Sequence, residues 1–308
     1  RIANEGIQNT APGSVQNDLL GAVFLIQAWT AVLWGDSVRI KEACRQVALY
    51  LPQDSRANAD ALANLGNAYY FEGKLLLLDE CWQKAIEIDL SSGDAYNAVE
   101  LMESYGRVCG HKGELQRAEA LFQRALQLLD KKHDHYPRLV GATERDYSDL
   151  LRERNQIAEA HAMMTYCLPL NEQWGYISGR GLGYLHLGRI LQAEGDQIGA
   201  RSMLGKAQEL CRAYTVYPDL EDLVQVFHAR LCLAEGQPEQ AWQVLETCLQ
   251  ADCCRNELRL EWMLIAQAHV LVQSGRPTKA LALLSGRLES AKENGRGRNW
   301  LEMCLLTA

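Results

Sequence analysis

One column of residues recurs along the chain at a near-fixed interval: Trp29, Asn67, Arg107, Asp149, Arg189, Arg230 and His269, separated by 38, 40, 42, 40, 41 and 39 residues. Three of these are arginines, and a guanidinium presents a planar fork of donors that suits a carboxylate, a phosphate or sugar hydroxyls. Nearby positions in the same register add Tyr70, Glu103, Arg145, Arg152 and Gln192, while Trp29, Tyr70 and Trp262 supply flat faces for a sugar or an apolar ligand. The candidate ligand-binding set is therefore Trp29, Asn67, Tyr70, Glu103, Arg107, Arg145, Asp149, Arg189, Arg230, Trp262 and His269. The competing reading is a solvated helix face, with Glu103 and Arg107 pairing one turn apart.

Other chemistries find little support. The glycine-rich GRGLG at 179–183 lacks the Lys-Ser/Thr of a phosphate loop and follows no strand, so its glycines are expected to serve helix packing. His133 and His135 lie in the charged stretch DKKHDHYPR and read as solvated side chains or, alternatively, as metal ligands. The ten cysteines show no zinc or redox spacing, and the adjacent Cys253 and Cys254 do not readily bridge to each other. That usage points to a reducing, cytoplasmic setting. No catalytic constellation stands out, so an enzyme is not expected. A net charge of −8 with a pI near 5.5 argues against direct contact with nucleic acid, which needs a basic face.

The elements that position the polar column are legible from three companion columns. Backbone breaks fall six residues after it, at Gly35, Gly73, Gly113, Asn155, Gly195, Gly236 and Gly275. Seven residues before each break stands a small residue: Ala28, Gly66, Gly106, Ser148, Gly188, Ala229 and Ala268. Nine residues after it stands an apolar one: Cys44, Trp82, Phe122, Met164, Leu204, Leu245 and Leu284. Alanines follow the later breaks by five residues, at Ala118, Ala160, Ala200, Ala241 and Ala280. A small residue where two helices cross, a left-handed turn, then an apolar second helix describes an antiparallel helical hairpin, and a fixed period of about 40 residues describes an array of them.

This pattern resembles the tetratricopeptide repeat, lengthened from its usual 34 residues. The resemblance implies an all-α fold, a right-handed superhelix of about seven hairpins plus a truncated eighth, with first helices lining the concave side and the polar column facing the hollow. The lengthened form is similar to the sensor region of the MalT-type activators, ATP-dependent regulators of the LuxR family. The similarity is carried by LIQAWTAVLWGD near the start and by AQAHVLVQSGRPTKALALLSGRLESAKENGRGRNWLEMCLLTA at the end, with its G-R-x-R-x-x-x-E lead into a last apolar helix. It implies a small inducer bound in the groove, relief of autoinhibition of an upstream ATP-binding domain, self-association, and DNA binding by another part of the parent protein. It implies no cofactor in this segment, ATP belonging to the upstream domain. A scaffold that docks a protein or peptide is the alternative.

Residues 1–17, polar and containing Pro12-Gly13, read as a linker or lead-in, and 18–308 as one repeat domain from a larger protein. Leu19 to Gly35 carries no charge, yet its Gln27 and Thr30 and its repeat register argue against a membrane span. Its apolar character points instead to a surface on which an upstream domain or a second copy packs.

Overall fold

The computed structural model describes residues 14–130, 136–251 and 257–307, which form sixteen helices and no strand. In order these are α1 (Ser14–Leu33), α2 (Ser37–Tyr50), α3 (Arg56–Phe71), α4 (Leu75–Ser91), α5 (Ala95–Lys112), α6 (Leu115–Asp130), α7 (Pro137–Glu153) and α8 (Ile157–Trp174). There follow α9 (Ile177–Glu194), α10 (Gln197–Ala213), α11 (Pro218–Ala234), α12 (Pro238–Ala251), α13 (Glu257–Gln273), α14 (Pro277–Leu284), α15 (Leu288–Glu293) and α16 (Gly297–Thr307). Odd-numbered α1–α13 are the first helices of seven hairpins, and α16 begins an eighth.

Every expected break adopts the left-handed backbone, with φ from +62° at Asn155 to +88° at Gly195. The residue after each break then donates its amide to the carbonyl five positions earlier, as in Asp36 to Ala31, Gln156 to Leu151 and Asp196 to Leu191, at 3.0, 2.9 and 2.9 Å. This bond closes the Schellman turn and satisfies a carbonyl that the helix end would otherwise leave bare. Asp36 and Asp196 also cap the following helix, accepting from the amides of Arg39 and Gly199.

The small column lies where the two helices of a hairpin press together. A Cβ on Gly66 would stand 2.0 Å from Trp82 Nε1, and one on Gly106 would stand 2.6 Å from Phe122 Cε1. In these two repeats the small and apolar columns meet each other, whereas a Cβ on Gly188 would stand 2.9 Å from Phe227 of the next hairpin. Ala28, Ser148, Ala229 and Ala268 are fully buried, as are the later alanines from Ala118 to Ala280.

The described residues pack as two compact units, one running up to Met102 and the other from Glu103 onward. The first holds a core of Leu25, Ala28, Ile40, Val47 and Ala68. The second has cores around Leu185, Leu204, Phe227 and Leu231, and around Ile265, Ala268, Leu284 and Met303.

Two further details differ from the sequence reading. The first helix starts at Ser14, so residues 14–17 are helical rather than linker, and the remainder of that stretch lies outside the described residues. The second rod of the seventh hairpin is interrupted at residues 285–287. His133, His135, Cys253 and Cys254 also lie outside the described residues. Among those described, no helix is long and apolar enough to cross a membrane.

Candidate functional site

The second unit brings its inward column together. Arg107 comes from α5, Asp149 from α7, Arg189 from α9, Arg230 from α11 and His269 from α13, one from each successive first helix. The last helix, α16, meets several of them. Its Arg298 Nη2 donates to Glu153 Oε1 at 2.8 Å, and Arg230 Nη2 donates to its Glu302 Oε1 at 2.8 Å. His269 Nε2 lies 2.9 Å from the same Glu302 oxygen. Two other contacts join the ends of this unit. A Cβ on Gly297 would lie 2.3 Å from the Lys112 carbonyl oxygen, and the rings of His111 and Trp262 sit 5.5 Å apart. First and last helices of the unit therefore meet, and the charged residues face a common interior.

That interior is wired in two layers. In the deeper one, Arg145 is 1% exposed and donates from Nε to Asp146 Oδ1 at 2.7 Å and from Nη2 to Glu103 Oε1 at 3.0 Å. Arg107 lies 3.8 Å from the other Asp146 oxygen. Burial, with the neighbouring Asp146 charge, pushes the Glu103 carboxyl up to about 8. Opposed arginines hold Asp146 ionised, its carboxyl lowered despite the burial that would raise it. A carboxylic acid beside a carboxylate, framed by guanidiniums, is the arrangement the burial of two acids enforces.

In the second layer, Arg152 donates to Asp149 at 2.8 Å and also bonds Glu153. Arg189 Nη1 stands 3.6 Å from Asp149 Oδ2, and His186 Nε2 stands 3.9 Å from it. Burial would raise the Glu302 carboxyl, but the His269 hydrogen bond and the Arg230 charge hold it down at about 2. His111 is pushed down to about 3 by burial and by Arg298 and Arg107, and stays neutral. Water still reaches this layer: the side chains of Arg230 and His269 are 39% and 35% exposed.

Of the sequence-predicted set, Arg107, Asp149, Arg189, Arg230 and His269 share this interior. Glu103 and Arg145 lie beneath it, buried and hydrogen bonded to each other. Trp262 is buried against His111 and offers no open face. Asn67, Tyr70 and Trp29 belong to the first unit, where Trp29 is exposed and Tyr70 packs edge-on to Phe71. Glu103 also accepts a bond from Arg145, which lies on the next first helix, while the Arg107 charge acts on it as well.

Sequence reading passed over His111, Asp146, Glu153, His186, Arg298 and Glu302. His111 and Glu153 follow Arg107 and Asp149 by one helical turn, a spacing that would have found them. Among the described residues no cluster of His, Cys, Asp and Glu has the geometry of a metal site.

Comparison with known proteins follows this geometry. The family described as the MalT-like TPR region matches residues 21–308. No curated protein matches the sequence. Among solved structures, a Rap protein complexed with competence and sporulation factor aligns at a TM-score of 0.69 and 12% identity, covering 98% of this chain and 88% of that one. NprR in complex with its cognate peptide NprX aligns at 0.59 and 12%, covering 92% and 81%. A tetratricopeptide repeat protein from Parabacteroides merdae aligns at 0.51 and 16%, covering 93% and 98%. At these identities the likeness is one of fold.

Proposed function

We propose that this chain, which belongs to the MalT-like TPR family, is the effector-sensing part of a LuxR-type regulator, taking a small inducer among the inward charges of its second unit. The observation that carries the reading is the convergence of Arg107, Asp149, Arg189, Arg230 and His269 from five separate hairpins on one water-accessible interior. A ligand there touches several repeats at once, so its binding energy biases their relative arrangement, the differential interaction that a sensor requires. The parent protein's ATP-binding domain is the partner whose autoinhibition the bound form relieves.

The bare flank of α1 suits that contact. Leu19 and Ile26 are exposed, yet Leu139, Asp146 and Phe227, at equivalent positions of later hairpins, are buried where one hairpin stacks on the next. A stacking face without a neighbour among the described residues is apolar surface that a docking domain can cover.

Peptide docking is the second reading, favoured by the likeness to Rap and NprR, each solved in complex with the factor or peptide named above. Thermal-shift and calorimetric titration with sugars, diols, small carboxylates and short peptides separates the two. Saturable binding of a small molecule supports the sensor, whereas binding of peptides alone replaces it with the adaptor.

A further inference from the structure

The second-layer charges of the second unit do not balance. Arg152, Arg189, Arg230 and Arg298 share three carboxylates, Asp149, Glu153 and Glu302. Three of the four guanidiniums are hydrogen bonded: Arg152 to Asp149 and Glu153, Arg298 to Glu153, and Arg230 to Glu302. Arg189 is the exception. Its one ion pair is to Asp149 at 3.6 Å, beyond hydrogen-bond reach, and Asp149 is already engaged by Arg152 at 2.8 Å. Arg189 makes no hydrogen bond among the described residues, although its side chain is only 15% exposed.

An Arg group so placed is costly. It surrenders most of its water and gains no acceptor in return. Burial, with Arg152, Arg298 and Arg230 close by, pushes its pKa down to about 10. Arg230 is lowered for the same reasons, by burial and by Arg298 and Arg152, even with Glu302 beside it. At neutral pH all four still carry charge, so this layer holds one uncompensated cation beside a hollow that water enters. A planar oxyanion with two oxygens matches a free guanidinium fork in both charge and shape.

We infer that Arg189 is the anchor for an anionic group, a carboxylate or a phosphate, on the small effector, with Arg230 and Arg298 flanking it. The inference rests on the sensor reading and narrows it to acidic ligands. The anion completes the hydrogen bonds of Arg189 and cancels the excess charge, linking α9 to α11 and α16.

The test is isothermal titration and thermal unfolding of the full chain with inorganic phosphate, with succinate, and with neutral glycerol and maltose as controls. It is repeated on Arg189→Gln and, as an outside control, on Arg201→Gln, which loses a partly exposed pair with Glu235 and a long contact with Cys232. The expected result is saturable stabilisation by phosphate or succinate, weakened by salt, lost at least tenfold in R189Q and kept in R201Q. Which of the two anions binds identifies the source of the group. Without ligand, R189Q should unfold at the same temperature as the parent or higher, since it removes an unsatisfied cation; a marked fall would assign Arg189 to the support of Asp149 and overturn the inference. Equal anion binding by R189Q and parent would overturn it as well. Binding of glycerol or maltose without either anion would sink the inference and leave the sensor reading intact, whereas no binding by any of the four would count against both.

Discussion

Arg298 and Glu153, 145 residues apart in the chain, are joined by a 2.8 Å hydrogen bond that ties the last helix of the second unit to the third-from-first. The side chains are 31% and 26% exposed, so the pair is screened and is worth about 1 kcal/mol or less. Arg298→Gln should therefore lower the unfolding temperature only slightly. Its larger effect should be faster amide exchange in α16, read by hydrogen exchange. Unchanged exchange there would show that the pair does not hold the unit closed.

Arg296 and Glu261 behave differently. They are 1% and 0% exposed and bonded through both carboxylate oxygens, with Ser290 and Asn299 completing the network. Removing one partner strands a buried charge, at a cost of about 3–5 kcal/mol, while replacing both by apolar groups can be near neutral. Arg296→Met should be severely destabilised in urea titration, and Arg296→Met with Glu261→Leu should recover most of the loss.

Two glycine substitutions should act with opposite sign. Alanine at Gly66 gains about 1 kcal/mol of helix propensity but drives a methyl into Trp82, whose indole donates to the Ala63 carbonyl at 2.9 Å. Overpacking costs about 1–3 kcal/mol, so Gly66→Ala should be net destabilising. Gly205, within α10, has nothing within 4 Å of its would-be Cβ, and Gly205→Ala should stabilise by about 1 kcal/mol. Thermal unfolding of the two variants decides it.

The first unit should lose stability as pH rises from about 4 to 7. Burial, with Asp60 and Asp94 nearby, pushes Asp89 up to about 7, and burial pushes Asp60 up to about 6. The folded state then binds more protons than the unfolded one across that window, so stability is greatest at its acid end and levels off above pH 7. Neutral His111 works in the opposite direction below its ordinary range, so the variant comparison carries the test. Asp89→Asn should shrink the difference in unfolding temperature between pH 5 and pH 8; an identical difference would refute the assignment.

The hairpins were readable in the sequence because their causes are local. A left-handed residue, the small residue seven before it and the apolar residue nine after it are all fixed within one repeat, and Gly66 meeting Trp82 is that rule in atoms. The wiring of the interior was not readable, because it depends on how far successive hairpins turn. Sequence spacing puts Glu103 beside Arg107, but it does not name Arg145, 42 residues away, which also bonds Glu103. The same holds for the G-R-x-R-x-x-x-E lead: its polar residues Arg296, Arg298 and Glu302 bond Glu261, Glu153 and Arg230, none of which its spacing names.

The Arg296–Glu261 bond sets a limit on how the chain can be dissected. A fragment cut anywhere between α13 and residue 296 retains Glu261 in the interior without the cation that neutralises it, so that helix is left with an uncompensated buried charge. A tail that keeps the partners of Glu261 must therefore run through GRGR to Asn299, and dissection by limited proteolysis should leave it attached.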